Sequence, residues 1–170
     1  YEGNDRGGCP KPSRTALEVI VVADTSIFLN LCRIERESLL ATLYVEVFAP
    51  PEVHEEFLRA VQKYPRFAGL IFPPWVRLRA PIQPLSMTVS WAGLDSGERA
   101  AIALATELKA DLVLIDEAKG RAAARKVGLK VGGVLAVLLD AKALGLIPAL
   151  APLLNALEQR ARFWLDAETK

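Results

Sequence analysis

Two apolar runs, V-I-V-V-A leading into Asp24 and L-V-L-I leading into Asp116, constrain this chain more than anything else in it. Each is short, rich in β-branched and aliphatic residues, and too uniformly apolar to leave one face in water. A strand buried on both faces belongs to a parallel sheet covered by helices on either side. The segments between the runs supply those helices. I-F-L-N-L follows Asp24, and P-E-V-H-E-E-F-L-R-A-V-Q-K opens with Pro51 in its first turn and sets Val53, Phe57 and Val61 on one stripe. L-D-S-G-E-R-A-A-I-A-L-A-T-E-L is an alanine-rich helix entered through Asp95 or Ser96, with Ile102, Ala105 and Leu108 facing inward. Y-V-E-V-F-A, stopped by Pro50-Pro51, is a further strand. The expected fold is a three-layer α/β/α sandwich with a mainly parallel central sheet.

One domain accounts for the chain. Its 170 residues, 52% of them hydrophobic, can bury one substantial core. Residues 1–16, with several glycines and prolines, form a lead-in, residues 17–165 the domain, and residues 166–170 a tail. The proline-punctuated stretch from Phe67 to Val89 suggests short strands or an irregular crossover. Downstream, helices are expected at Ala118 to Val127, after the G-L-K-V segment as far as Gly145, and from Ile147 to Arg162, with Phe163 to Leu165 as a small closing strand.

Composition narrows the chemistry. Lys and Arg total 21 against 20 Asp and Glu, a formal charge of +1, so bulk charge does not indicate nucleic-acid binding and any such contact must be local. Cys9 and Cys32 make neither a disulfide framework nor a zinc motif, and the one histidine, His54, offers no imidazole cluster. A metal site would be built from carboxylates. No long uncharged apolar run and no secretory pattern is present, so the expectation is a cytoplasmic protein with no membrane association.

In an open parallel sheet, ligands collect beyond the carboxyl ends of the strands. Asp24 and Asp116 fall there. Glu56 and Glu98 lie on helices that can return along the same edge, so four acids distant in sequence can converge on a hard cation, Mg2+ or Mn2+. Glu55 and Glu117 are expected to face solvent, and Asp95 is read as a helix-entry cap. Thr25 and Ser26 are expected to cap the first helix and stabilise the turn into it, where their hydroxyls can also bond a ligating carboxylate or a substrate. Cys32 and the tryptophans Trp75, Trp91 and Trp164 suit packing, and His54 a supporting place on its helix.

V-V-A-D24-T-S resembles the opening motif of the PIN-domain nuclease superfamily, and P-E-V-H-E-E56-F its second acidic motif. L-D-S-G-E98-R-A-A and L-I-D116-E resemble the third and fourth acidic regions, and G-R-A-A-A-R-K-V-G-L-K-V-G-G-V-L-A-V-L-L-D-A-K-A-L-G-L-I is similar to the prokaryotic VapC-like toxin branch. The resemblance spans roughly Glu18 to Leu165. It implies a metal-dependent endoribonuclease in which Asp24, Glu56, Glu98 and Asp116 bind one or two Mg2+ or Mn2+ ions, and in which water attacks an RNA phosphodiester. Glu98 stands where many PIN domains carry aspartate. The branch further implies a toxin–antitoxin system, a cognate protein antitoxin and a homodimer.

Lys119, Arg121, Arg125, Lys126 and Lys130 supply a basic series beside Asp116, with Arg121 nearest the acidic edge and, together with Thr25 and Ser26, a candidate substrate contact. Arg77 and Arg79 alternate on a short strand and can line a groove. A dinucleotide oxidoreductase would need G-x-G-x-x-G and a P-loop enzyme G-x-x-x-x-G-K-S/T; neither occurs. An aspartyl-phosphate hydrolase would need a second aspartate close after Asp24, where D24-T-S26 has none. The remaining alternative is a PIN-like scaffold without turnover that binds RNA or protein.

Overall fold

The strands β1 (Leu17–Ala23), β2 (Tyr44–Ala49), β3 (Arg77–Leu78), β4 (Leu112–Leu114) and β5 (Val131–Gly132) join in one parallel sheet of order β3-β2-β1-β4-β5. This is a computed structural model, and it describes residues 17–83 and 91–161. Among the described residues seven helices connect and cover the strands: α1 (Thr25–Arg33), α2 (Ser38–Leu43), α3 (Pro51–Lys63), α4 (Ser96–Leu108), α5 (Ala118–Lys126), α6 (Val134–Ala143) and α7 (Ala151–Ala156). A single 3-10 turn, Pro65–Phe67, follows α3, and a π turn, Leu157–Ala161, follows α7.

The apolar strands alternate between two cores. Val21, Ala23, Val47, Ala49 and Leu114 face one layer, with Phe28, Leu40, Phe57 and Leu138 from α1, α2, α3 and α6. Val22, Phe48, Val113 and Ile115 face the other, against Ile102 and Leu104 of α4 and Ala124 of α5. A period of two with both faces occupied is what the unbroken apolar runs require, and the three-layer α/β/α sandwich follows from it.

The strand order reverses between β1 and β4. From β1 the chain builds outward through β2 to β3, then returns across the sheet through α4 to lay β4 on the opposite side of β1. The carboxyl ends of β1 and β4 therefore flank the crevice where an open sheet can admit a ligand. Asp24 immediately follows β1, its amide donating to Leu114 O at 3.0 Å, and Asp116 lies two residues past β4.

Three local expectations need adjustment. The cap of α1 is Asp24 rather than Thr25 or Ser26: its carboxylate accepts the Ser26 amide at 3.3 Å, while Thr25 and Ser26 occupy the first turn. β5 falls in a segment expected to lead straight into a helix. Two residues are too few to show periodicity, and they join the sheet because Val113 N and Ile115 N donate to Lys130 O and Gly132 O, each at 2.9 Å. Arg77 does lie on a short strand, but it pairs with Glu46 on β2, and Arg79 pairs with Glu107 on α4 at 3.1 Å. The lead-in, the closing strand from Phe163 to Leu165, the tail, Cys9 and Trp164 lie outside the described residues.

Aromatic packing sets the position of α3. Phe57 is fully buried and meets Phe72 edge-on at 5.3 Å, and Phe72 also touches Phe28 and His54 at 4.8 Å each, so the histidine supports its helix through ring packing. Cys32 is buried nearby in the same core. Phe57→Ala is expected to cost about 3–5 kcal/mol in urea unfolding through lost burial and the cavity left behind. Glu55→Ala, two positions away on the exposed face, should change stability by less than about 0.5 kcal/mol.

Candidate metal centre

Asp24 is held at the amino end of α1 with its side chain almost wholly enclosed, 3% exposed. Its Oδ2 accepts the Ser26 amide and the Ser26 hydroxyl at 3.3 and 3.0 Å. Oδ1 is buried without a hydrogen-bond partner. A carboxylate oxygen in that state is costly unless it is protonated or meets a cation.

Glu56 arrives from α3 and is fixed by three donors. Thr25 Oγ1 donates to its Oε2 at 2.9 Å, and Ser96 Oγ and Gly97 N donate to its Oε1 at 2.7 and 2.8 Å. Two of these donors belong to the first turn of α4, where free amides and the helix dipole favour negative charge. The same turn carries a reciprocal capping box. Glu98 N donates to Asp95 Oδ1 at 2.7 Å and Asp95 N to Glu98 Oε2 at 3.1 Å. Glu98 Oε1 is a second buried carboxylate oxygen with no partner.

One oxygen from each of Asp24, Glu56 and Asp95 lies within 4.8 Å of the others. Asp24 is buried, Glu56 half-buried and Asp95 exposed, so the set has a closed floor and an open rim. Asp95 is the member that its reading as a cap alone left out. The D-S-G-E spacing announced the cap, but a cap residue at a helix start can turn its second oxygen towards a neighbouring strand end. Glu98 borders the set without belonging to it, and feels the charges of Asp95, Glu117 and Glu56.

Asp116 is held apart from those three. Its Oδ2 accepts from Asn30 Nδ2 at 2.9 Å and its Oδ1 from Val134 N at 2.8 Å, while Arg121 donates to its carbonyl oxygen. Each carboxylate oxygen retains lone-pair capacity beyond these bonds. Asn30 was missed in the sequence, although a carboxamide in the otherwise apolar run I-F-L-N-L was a visible anomaly. Glu117, as expected, is exposed at the start of α5.

Glycine makes room for three of the acids. A Cβ on Gly120 would stand 2.5 Å from Glu98 Oε1, and one on Gly133 2.5 Å from Asp116 Oδ1. On Gly97 it would come closer still to Glu56 Oε2.

Burial raises the pKa of all three enclosed acids. Asp24 rises from 3.8 to about 7, chiefly by desolvation, with the Asp95 charge adding to it and the Thr25 and Ser26 hydrogen bonds opposing it. Desolvation also lifts Glu98 and Asp116. A divalent cation held by these carboxylates would reverse this balance by supplying the missing opposite charge. The all-oxygen donor set suits Mg2+ or Mn2+.

The family model of the PIN domain matches residues 20–170. The chain belongs to the PIN-domain family. A solved PilT N-terminus domain protein from the hyperthermophilic archaeon Sulfolobus solfataricus P2 has the same fold: TM-score 0.52 at 17% identity, covering 72% of this chain and 92% of that one. No curated protein matches the chain. PIN domains are in general nucleases that use divalent metals, and the acidic set of this PIN domain fits such a site. Among the described residues no helix is long and apolar enough to cross a membrane.

Two outcomes test the centre. Between about pH 4 and pH 7 the folded chain retains an Asp24 proton that the unfolded chain has released, so metal-free stability falls as pH rises across that window. The loss is on the order of 4 kcal/mol at most. Asp24→Asn should flatten this part of the pH–stability curve, and should abolish the rise in Tm that Mg2+ or Mn2+ gives the native protein, both measured by thermal unfolding. Gly97→Ala should leave metal-free stability within about 1 kcal/mol, because alanine favours the helix and Glu56 can swing aside. It should nonetheless weaken Mn2+ binding at least tenfold by calorimetry, since Glu56 loses its seat.

Proposed function

We propose that this PIN domain is a metal-dependent endoribonuclease. The observation that carries the reading is the gathering of Asp24, Glu56 and Asp95, one carboxylate oxygen from each within 4.8 Å of the others, around a buried Asp24 whose Oδ1 has no hydrogen-bond partner. Asp24, Glu56 and Asp95 would hold the ion, with Glu98 beside them. A divalent ion there supplies Lewis-acid polarisation of a phosphoryl oxygen and lowers the pKa of water.

The chain's own residues divide the remaining work. Thr25, Ser96 and Gly97 lock Glu56 in one orientation, and Ser26 does the same for Asp24, so the donor set is preorganised before substrate arrives. Asn30 and Val134 N hold Asp116 at the β4 side of the crevice. Lys119, Arg125, Lys126 and Lys130 are exposed on and after α5, and Lys119 reaches back to the loop before α4, close enough that a Cβ on Gly93 would stand 3.3 Å from its Nζ. That ammonium is suited to a backbone phosphate entering from the α5 side. The choice of RNA, the role as a toxin neutralised by a protein antitoxin and the homodimer rest on the resemblance to the VapC-like branch, and the cytoplasmic setting on the sequence pattern.

With Mg2+ or Mn2+ the protein should cleave single-stranded RNA in preference to single-stranded DNA, and chelation should stop it. Asp24→Asn and Glu56→Gln should each lower the rate at least 100-fold while remaining folded. Asp95→Asn and Asp116→Asn rank the contributions of the rim and of the β4 side. Folded native protein that binds Mn2+ but cleaves neither polymer would overturn the proposal.

A further inference from the structure

An open groove of about 550 Å3 lies between α3 and α4, with Glu52, Gln83, Ser96 and Arg99 in its walls. It reaches the acidic centre at Ser96, which donates its hydroxyl to Glu56. The first turn of α4 stands between two helices: Gly97 N bonds Glu56 of α3, and Glu98 Oε1 lies against Gly120 of α5. Each side carries an exposed cation. Arg99, the fourth residue of α4, lines the groove on the α3 side. Lys119 reaches back from α5 to Gly93, in the loop before α4.

Neither cation serves the fold through an ion pair. Among the described residues the pairs are Arg59–Glu55, Arg77–Glu46, Arg79–Glu107 and Arg160–Glu35. Arg99 stays out of them although Glu52 lines the same groove and Glu98 precedes it in the chain. It also stands near the end of α4 where the helix dipole disfavours positive charge. Stability gives no reason for an arginine there, whereas an anion arriving in the groove does.

We infer that the substrate strand crosses the amino end of α4, with Arg99 and Lys119 binding the backbone phosphates on either side of the one that is cut. The inference rests on the nuclease reading for its ligand class. A metal answers only for the phosphate it holds, and each flanking phosphate brings further negative charge to an edge already crowded by Asp24, Glu56, Asp95 and Glu98. The protein must supply the opposite charge. A guanidinium can grip two phosphate oxygens at once, and an ammonium acts as a point charge. Glu52, across the groove, repels an anion from the α3 wall and favours the Arg99 side. Such contacts fix the path of the strand without reading its bases.

The test uses a labelled oligouridylate bound to the full chain in EDTA, so that nothing is cut, with affinity followed by fluorescence anisotropy against salt. Arg99→Ala and Lys119→Ala should each flatten the slope of log affinity against log salt by about 0.7, the value for one lost single-strand phosphate contact. Arg99→Lys should keep the slope. Arg59→Ala, which removes the same charge from the exposed face of α3, should leave it unchanged. In cleavage, Arg99→Ala should raise KM for the oligomer about tenfold at constant kcat. It should not affect a dinucleotide whose single phosphate is the one cut. No oligouridylate binding, a slope moved by only one of the two cations, or an equal change with Arg59→Ala would end the proposed path. RNA cleavage with unchanged slopes would leave the nuclease standing without it. Slopes that fall as expected in a protein that cuts no RNA would keep the path and remove the nuclease.

Discussion

An aspartate with one uncompensated oxygen at the end of the central strand is the constraint around which this PIN domain is organised. Asp24 sits there because β1 is covered on both faces and its carboxyl end opens at the reversal of strand order in the sheet. The cost of placing a carboxylate in that position is reflected in its pKa of about 7. Glu56, Asp95 and Glu98 then crowd further negative charge around it. The amino ends of α1 and α4 soften the repulsion with amide donors, and protonation or a cation removes the rest. Instability in the metal-free state and affinity in the loaded state are thus two aspects of one arrangement.

The fold was legible because its central strands are extreme. Runs such as V-I-V-V-A and L-V-L-I leave almost no choice but a covered parallel sheet, and Pro51 marked the start of α3 to the residue. β5 escaped because two residues carry no period; its place is set by backbone bonds to β4 that no side-chain pattern announces. The α1 cap was assigned to the hydroxyls after Asp24, although an aspartate at a strand end is an equally good cap and here serves in both capacities.

The candidate site was legible in its elements rather than in its membership. Asp24 and Glu56 were readable from strand end and helix stripe, and the structure brings them together. Asp95 was set aside because a cap is a sufficient reason for an aspartate at a helix start. Sequence spacing cannot show that its helix begins against β1, a distance created only by the α4 crossover. Glu98 and Asp116 were likewise readable as acids on the right edge. Their separate surroundings, a capping box and an Asn30 carboxamide, depend on packing between distant segments.

The edges of the sheet bear on how copies of the chain can meet. β3 and β5 are two residues each, and Arg77 of β3 is committed to Glu46. So short a ladder, with a charged side chain folded across it, offers a second strand almost nothing to pair with. Sheet extension is therefore blocked at both ends, and two copies associating through the described residues would have to meet helix against helix.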